Sequence, residues 1–145
     1  MTKIKESRLL ITGGASGIGR IMGRQALQRG AKEIVVWDIN EQNIAATAEE
    51  FSAIGNVKGY RVDVGNVDAI REAYTKVKKE CGDVDILINN AGMAYQQLFQ
   101  LCDNKKVSDL FNINIMSAME LTKELLVLDG ITSVSILTHD GEITA

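Results

Sequence analysis

The sequence contains no proline, two cysteines and a single histidine among its 145 residues. Average usage near 5% would give about seven prolines, and nothing in the pattern accounts for their absence. Cys81 and Cys102 form neither a CxxC pair nor a metal-ligand spacing. The expectation is therefore two reduced thiols in a cytoplasmic protein. His139 sits in a polar stretch with Asp140 and Gly141, which reads as an exposed turn histidine rather than a general base. No His, Cys, Asp and Glu cluster has ligand spacing, so no metal is expected. No carboxylate pair suggests a glycosidase. Long apolar runs are missing too. Leu9 to Ile11, Ile34 to Trp37, Ile86 to Ile88 and Leu125 to Leu128 all fall far short of the roughly 20 residues that span a bilayer. Met1 to Arg8 is short and polar, unlike a signal peptide. The formal net charge is -3 and aromatic residues make up 5%, which argues against a nucleic-acid surface.

What is present points to one domain with a real core. Apolar residues make up 46% of the chain, and a chain of this length buries roughly 68–70% of its unfolded surface. The charge is uneven. Residues 1–32 carry seven basic side chains and one acid, and residues 33–145 carry nine and eighteen. The basic end either lends a mild positive field to a phosphate site or only serves solubility.

Residues 8–12, RLLIT, read as a buried strand stopped by Gly13-Gly14. A helix follows from Gly17 to about Arg29, with Ile18, Met22 and Ala26 sharing a face and Gly30 as its stop. Residues 33–37 form a second strand with Asp38 at its end. Asn40 caps a helix with core residues Ile44, Ala48 and Phe51, closed by Gly55. A third strand, 57–62, leads to Asp63. Asn66 caps a helix over 67–80, whose face carries Val67, Ile70, Tyr74 and Val77 and whose surface offers a Glu72–Lys76 pair. A fourth strand, 85–88, ends at Asn89-Asn90-Ala91-Gly92. A long helix over 105–127 aligns Val107, Phe111, Ile115, Ala118, Leu121 and Leu125, and 133–137 reads as a fifth strand. Strands alternating with helix-length connections specify an α/β fold: a three-layer, Rossmann-type parallel sheet with helices on both faces.

The strongest local signal is TGGASGIG at 12–19, in which Gly13, Gly17 and Gly19 lie between a strand and a helix. Glycines there permit a tight turn, close approach of a pyrophosphate, and tight helix–sheet packing. The unpaired N–H groups of the helix start meet the ligand's charge. Ser16 adds a hydroxyl. The spacing is not that of a P-loop, because Arg20 does not replace its lysine. Asp38, 25 residues after Gly13, is placed to accept both hydroxyls of an adenosine ribose. That favours NAD over NADP, whose 2′-phosphate would face like charge. Asp63 ends the third strand, where it either meets an adenine amine or serves as a turn carboxylate.

Together, TGGASGIGR at 12–20, Asp38, DV at 63–64, INNAG at 88–92 and FNINIMSAMELTK at 111–123 resemble the short-chain dehydrogenase/reductase (SDR) family over roughly residues 6–126. The resemblance implies that Gly13, Ser16, Gly17, Ile18 and Gly19 hold the cofactor diphosphate. It implies that Asp38 binds the ribose, Asp63 and Val64 the adenine, and that Asn90, Ala91 and Gly92 line the cofactor. Asn114 matches the family's catalytic asparagine, which bends its helix and anchors a water in the proton relay. The implied reaction interconverts a small-molecule alcohol and a carbonyl. The family's Tyr-x-x-x-Lys is not found after the fifth strand, where the family places it: the tyrosines are Tyr60, Tyr74 and Tyr95, the one such spacing, Tyr74 to Lys78, falls on the helix over 67–80, and the last lysine is Lys123. After Leu126 the pattern drifts from the family. The expectation is a truncated N-terminal portion, incomplete at the C-terminus, with self-association through helix 105–127. The alternative is a Rossmann module that binds without catalysing.

Overall fold

The computed structural model describes residues 3–95, 103–129, 135–138 and 141–144. Strands β1 (Arg8–Thr12), β2 (Glu33–Asp38), β3 (Val57–Arg61) and β4 (Ile86–Ile88) alternate with helices α1 (Gly17–Gln28), α2 (Glu41–Ser52) and α3 (Val67–Cys81). The four strands form one parallel sheet in the order β3-β2-β1-β4. Helix α4 (Asn104–Phe111) runs through a π-helical turn, Asn112–Met116, into α5 (Ser117–Asp129). The expected three-layer parallel α/β fold is the one observed.

The layers follow from the two-residue period of the strands. Leu9, Ile11, Ile34 and Val36 pack on one side with Ala26, Leu27 and Phe51 of α1 and α2. Leu10, Val35 and Trp37 point to the other side, against Ile70, Tyr74 and Val77 of α3 and Leu121 and Leu125 of α5. Each aliphatic side chain fully buried in this way contributes about 1.5–3 kcal/mol. At the amino ends of the strands, away from the glycine-rich loop, Arg8 donates from Nε to Glu33 (2.6 Å) and from Nη1 to the Asp83 carbonyl (2.7 Å). Its backbone N–H donates to Asp85 at 2.7 Å.

The structure corrects the sequence expectations in five places. Helix α1 does not bury Ile18, which is 71% exposed. Its buried side is Gly19, Gly23, Ala26 and Leu27. A methyl at Gly23 would lie 2.8 Å from the Phe51 ring, so α1 approaches through its smallest residues, which an apolar-periodicity reading passes over. In α2, Thr47 is buried alongside Phe51. The third correction concerns the long helix. Phe111 and Ile115 are 57% and 46% exposed, whereas Leu121 and Leu125 are buried. The π turn adds a residue to one turn, which rotates one half of the helix against the other by about 100°. The fourth concerns the fifth strand. Ser135–Thr138 (β5) pairs antiparallel with Gly141–Thr144 (β6), in a two-stranded sheet separate from the parallel one. An apolar run shows extended backbone but not its partner. On the surface of α3, Lys76 reaches Glu80 at 4.0 Å; the expected partner was Glu72.

Candidate functional site

Open α/β sheets place ligands beyond the carboxyl ends of their strands, and the predicted site residues gather there. Gly13 and Gly17 have φ of 63° and 49°, the left-handed region that favours glycine. A side chain at Gly17 would meet nothing within 4 Å, so the backbone at this corner borders open space. A methyl at Gly19, by contrast, would collide with the Gly13 carbonyl and lie 2.6 Å from Asn90 Nδ2.

Ser16 is the N-cap of α1, yet its side chain makes no capping hydrogen bond, and the first turn holds no acid. The first N–H groups of α1 therefore face the glycine-rich corner with their partial positive charge uncompensated by any acid in that turn. Ile18 projects outward beside them. Arg20 and Arg24, which contribute to the basic excess near the loop, are both engaged by Glu50 of α2. The Arg20 hydrogen bond holds the Glu50 carboxyl below its ordinary pKa, with burial opposing and Arg24 adding to the effect. Glu50 thus offsets one of the two positive charges that these arginines bring to the loop.

Asp38 closes the site from β2. Its Oδ2 accepts from the Ala15 N–H at 3.1 Å, and its Oδ1 accepts from the Asn40 N–H at 3.1 Å. A carboxylate offers about four lone-pair positions, so both oxygens keep capacity for further donors. Capping of α2 falls to Asn40, whose side chain accepts from the Asn43 N–H at 3.0 Å. Asp38 is therefore joined to the glycine-rich loop and is not the helix cap.

The segment after β4 is stitched to the same loop. Asn90 Nδ2 donates to the carbonyls of Thr12 (3.0 Å) and Gly13 (3.2 Å). The N–H groups of Asn90 and Ala91 both donate to Thr12 Oγ1 at 3.0 Å. Gly92 lies against Asn114, whose Oδ1 would be 3.4 Å from an added methyl. Asn114 itself lies within the π turn. Its Oδ1 accepts from the Met93 N–H at 2.8 Å, and its Nδ2 donates to the Met93 carbonyl at 2.9 Å. The amide thus pairs with the backbone just beyond Gly92.

Asp63 stands at the rim, with Oδ1 accepting from the Gly65 N–H at 2.9 Å. It borders an open cleft of about 280 Å³ together with Ile39, Met93, Lys105 and Ile113. Val64 packs against the core beneath. Thr12, Thr47 and Met93 belong to this assembly and were missed from the sequence. Thr12 reads as the last residue of a buried strand, and neither Thr47 nor Met93 belongs to a motif that singles it out. Tyr60 lies elsewhere, on β3, donating to Glu80 at 2.7 Å. Burial first, then Cys81 and Glu80, raises its pKa. Among the described residues no group of His, Cys, Asp and Glu is arranged to hold a metal. None of the described helices is long and apolar enough to cross a membrane.

Residues 7–132 match the short chain dehydrogenase family. The chain belongs to this family. It is 36% identical over 141 residues to human (Homo sapiens) 17-beta-hydroxysteroid dehydrogenase 13, covering 92% of the chain and 47% of that protein. It is 32% identical over 124 residues to short-chain dehydrogenase/reductase 3 from Bos taurus, covering 85% and 41%. The chain thus spans less than half the length of these relatives. The fold is shared with L-sorbose reductase from Gluconobacter frateurii, solved with NADPH and L-sorbose. That structure gives a TM-score of 0.79 at 23% identity, covering 87% of this chain and 49% of the other. A Serratia marcescens short-chain dehydrogenase/reductase gives 0.79 at 20% identity, covering 87% and 52%.

Proposed function

We propose that this short-chain dehydrogenase chain is the cofactor-binding portion of an oxidoreductase that uses NAD(H) to interconvert an alcohol and a carbonyl. One observation carries the cofactor choice: Asp38 is bonded to the glycine-rich loop through Ala15 and retains free acceptor positions on both oxygens. Two ribose hydroxyls suit those acceptors, whereas the 2′-phosphate of NADP brings negative charge against the carboxylate. In this reading Gly13, Ser16, Gly17, Ile18 and Gly19 receive the diphosphate at the start of α1. Asp63 and Val64 face the adenine across the cleft beside Ile39, and Asn90, Ala91 and Gly92 border the cofactor on the β4 side. Asn114 holds the Met93 backbone and would present the proton-relay end of the site. The related L-sorbose reductase is described with NADPH, so the cofactor test is a direct one.

Titration calorimetry of the 145-residue chain with NADH and NADPH is expected to show tighter binding of NADH. Asp38→Ala is expected to narrow the difference by about tenfold, the equivalent of roughly 1.4 kcal/mol. Equal affinities in the parent chain would overturn the NAD assignment.

A further inference from the structure

We propose that Thr47 of α2 is a positioning residue for the cofactor site, holding the glycine-rich loop in the form that engages Asp38. The proposal rests on the NAD reading above and extends it to a residue that touches no cofactor group. Thr47 is 0% exposed, although threonine is ordinarily a surface residue. A buried hydroxyl needs a partner, and Thr47 Oγ1 donates to the Ala15 carbonyl at 3.2 Å. Ala15 is itself buried, at 1% exposure, and its N–H is the group that donates to Asp38 Oδ2. One residue of the loop is therefore gripped on both sides, by α2 through its carbonyl and by β2 through its N–H.

Peptide planarity gives this grip a direction. The Ala15 carbonyl and the Ser16 N–H share one trans peptide, so they point opposite ways. Fixing the carbonyl toward Thr47 turns the Ser16 N–H away from α2. The same bond limits rotation about Ala15, which keeps its own N–H on Asp38. Apolar packing alone would not supply this restraint. Valine has nearly the shape of threonine but has no donor, and the Ala15 carbonyl would then be left in a buried setting without a partner.

The test compares Thr47→Val, which removes the hydroxyl, with Thr47→Ser, which keeps it. In the 145-residue chain, NADH affinity is expected to fall about fivefold in T47V and to stay within about twofold of the parent in T47S. The preference for NADH over NADPH should narrow in T47V alone. Amide hydrogen exchange supplies a readout that does not depend on any cofactor. Exchange at Ala15 should quicken about fivefold relative to Leu10 in T47V, and not in T47S. A purely structural role would speed both amides together and leave the cofactor preference intact, and that pair of results would overturn the proposal. If the parent chain showed no preference between NADH and NADPH, the NAD reading would fail separately. The exchange ratio would then decide the role of Thr47 by itself.

Discussion

Thr12 shows how much of the site depends on single polar atoms. Its Oγ1 accepts from two N–H groups, those of Asn90 and Ala91, and lies 3.4 Å from the Ile88 carbonyl. The residue is 3% exposed, so water does not readily replace those bonds. Valine at this position would match the shape and leave two N–H groups without their acceptor. An unsatisfied buried group costs about 1–3 kcal/mol. Thr12→Val is therefore expected to lower unfolding free energy by about 2 kcal/mol in urea titrations, with Thr12→Ser much closer to the parent. A loss below about 0.5 kcal/mol for the valine variant would show that the hydroxyl is dispensable. Thr12 belongs to the TGGASGIG motif, yet its role was not legible there. The motif marks the loop, while the partners of Thr12 lie 76 to 79 residues further along the chain. The turn at Gly13 and Gly17 and the place of Asp38 were legible because they follow from local backbone conformation and from the end of a strand.

At the scale of elements, the pairing of α1 with α2 combines close glycine packing with an ionic clamp. Glu50 accepts from Arg20 Nε at 2.8 Å and from Arg24 Nε at 2.5 Å. These bonds hold its pKa below the ordinary value of 4.5, with the Arg20 hydrogen bond the largest cause. A carboxyl whose pKa is depressed on folding stabilises the native state above its unfolded pKa. That contribution is lost as pH falls through the folded pKa. Glu50→Gln is therefore expected to unfold with a shallower loss of stability below about pH 4.5, where the parent gives up its clamp. Denaturant titrations of both proteins at pH 7 and at acid pH check this, and parallel curves would exclude the clamp as a contributor. The existence of both helices was readable from their spacing and from Asn40 and Asn66, which cap α2 and α3. Their faces were less so. Gly23 leaves no apolar mark although it meets the Phe51 ring, and the π turn at Asn112–Met116 breaks the 3.6-residue period on which the long-helix face was drawn. Ser135–Thr138 was legible as a strand, but its pairing with Gly141–Thr144 depends on a choice of partner that a single apolar run does not encode.

At the scale of the whole molecule, two properties follow from what the chain exposes and what it contains. Phe111, Ile115 and Met119 recur every four residues along the α4–α5 rod and are all exposed, with Val127 exposed further on. A stripe of this kind favours self-association, and sedimentation should show mass rising with concentration, reduced in Met119→Lys. A single monomeric species at every concentration would remove that expectation. The second property is chemical. Moving hydride from an alcohol carbon to NAD requires the hydroxyl proton to leave, and a positioned acid/base contributes about 10²–10⁴-fold to such a step. Free phenol titrates near 10, so a tyrosine doing this work needs a nearby cation. The one Tyr-x-x-x-Lys spacing in the 145-residue sequence, Tyr74 to Lys78, lies on α3 with its tyrosine in the core, and none follows β4. Tyr60 is engaged with Glu80 and Cys81, and burial first, then Cys81 and Glu80, raises its pKa instead of lowering it. Tyr74 is fully buried. Tyr95 has Lys106 5.6 Å from its ring centroid, a contact of charge with the ring face. The Asn114 amide does not ionise near neutral pH and is committed to Met93 through both of its polar atoms. The 145-residue polypeptide by itself is therefore expected to bind NADH without producing it. Absorbance at 340 nm should stay at the blank rate across secondary alcohols and steroid- or retinol-like substrates. Turnover that survived repurification and vanished in Asn114→Ala would place an acid/base in this chain outside the tyrosine–lysine pattern, and would make the site around Asn114 catalytic in its own right.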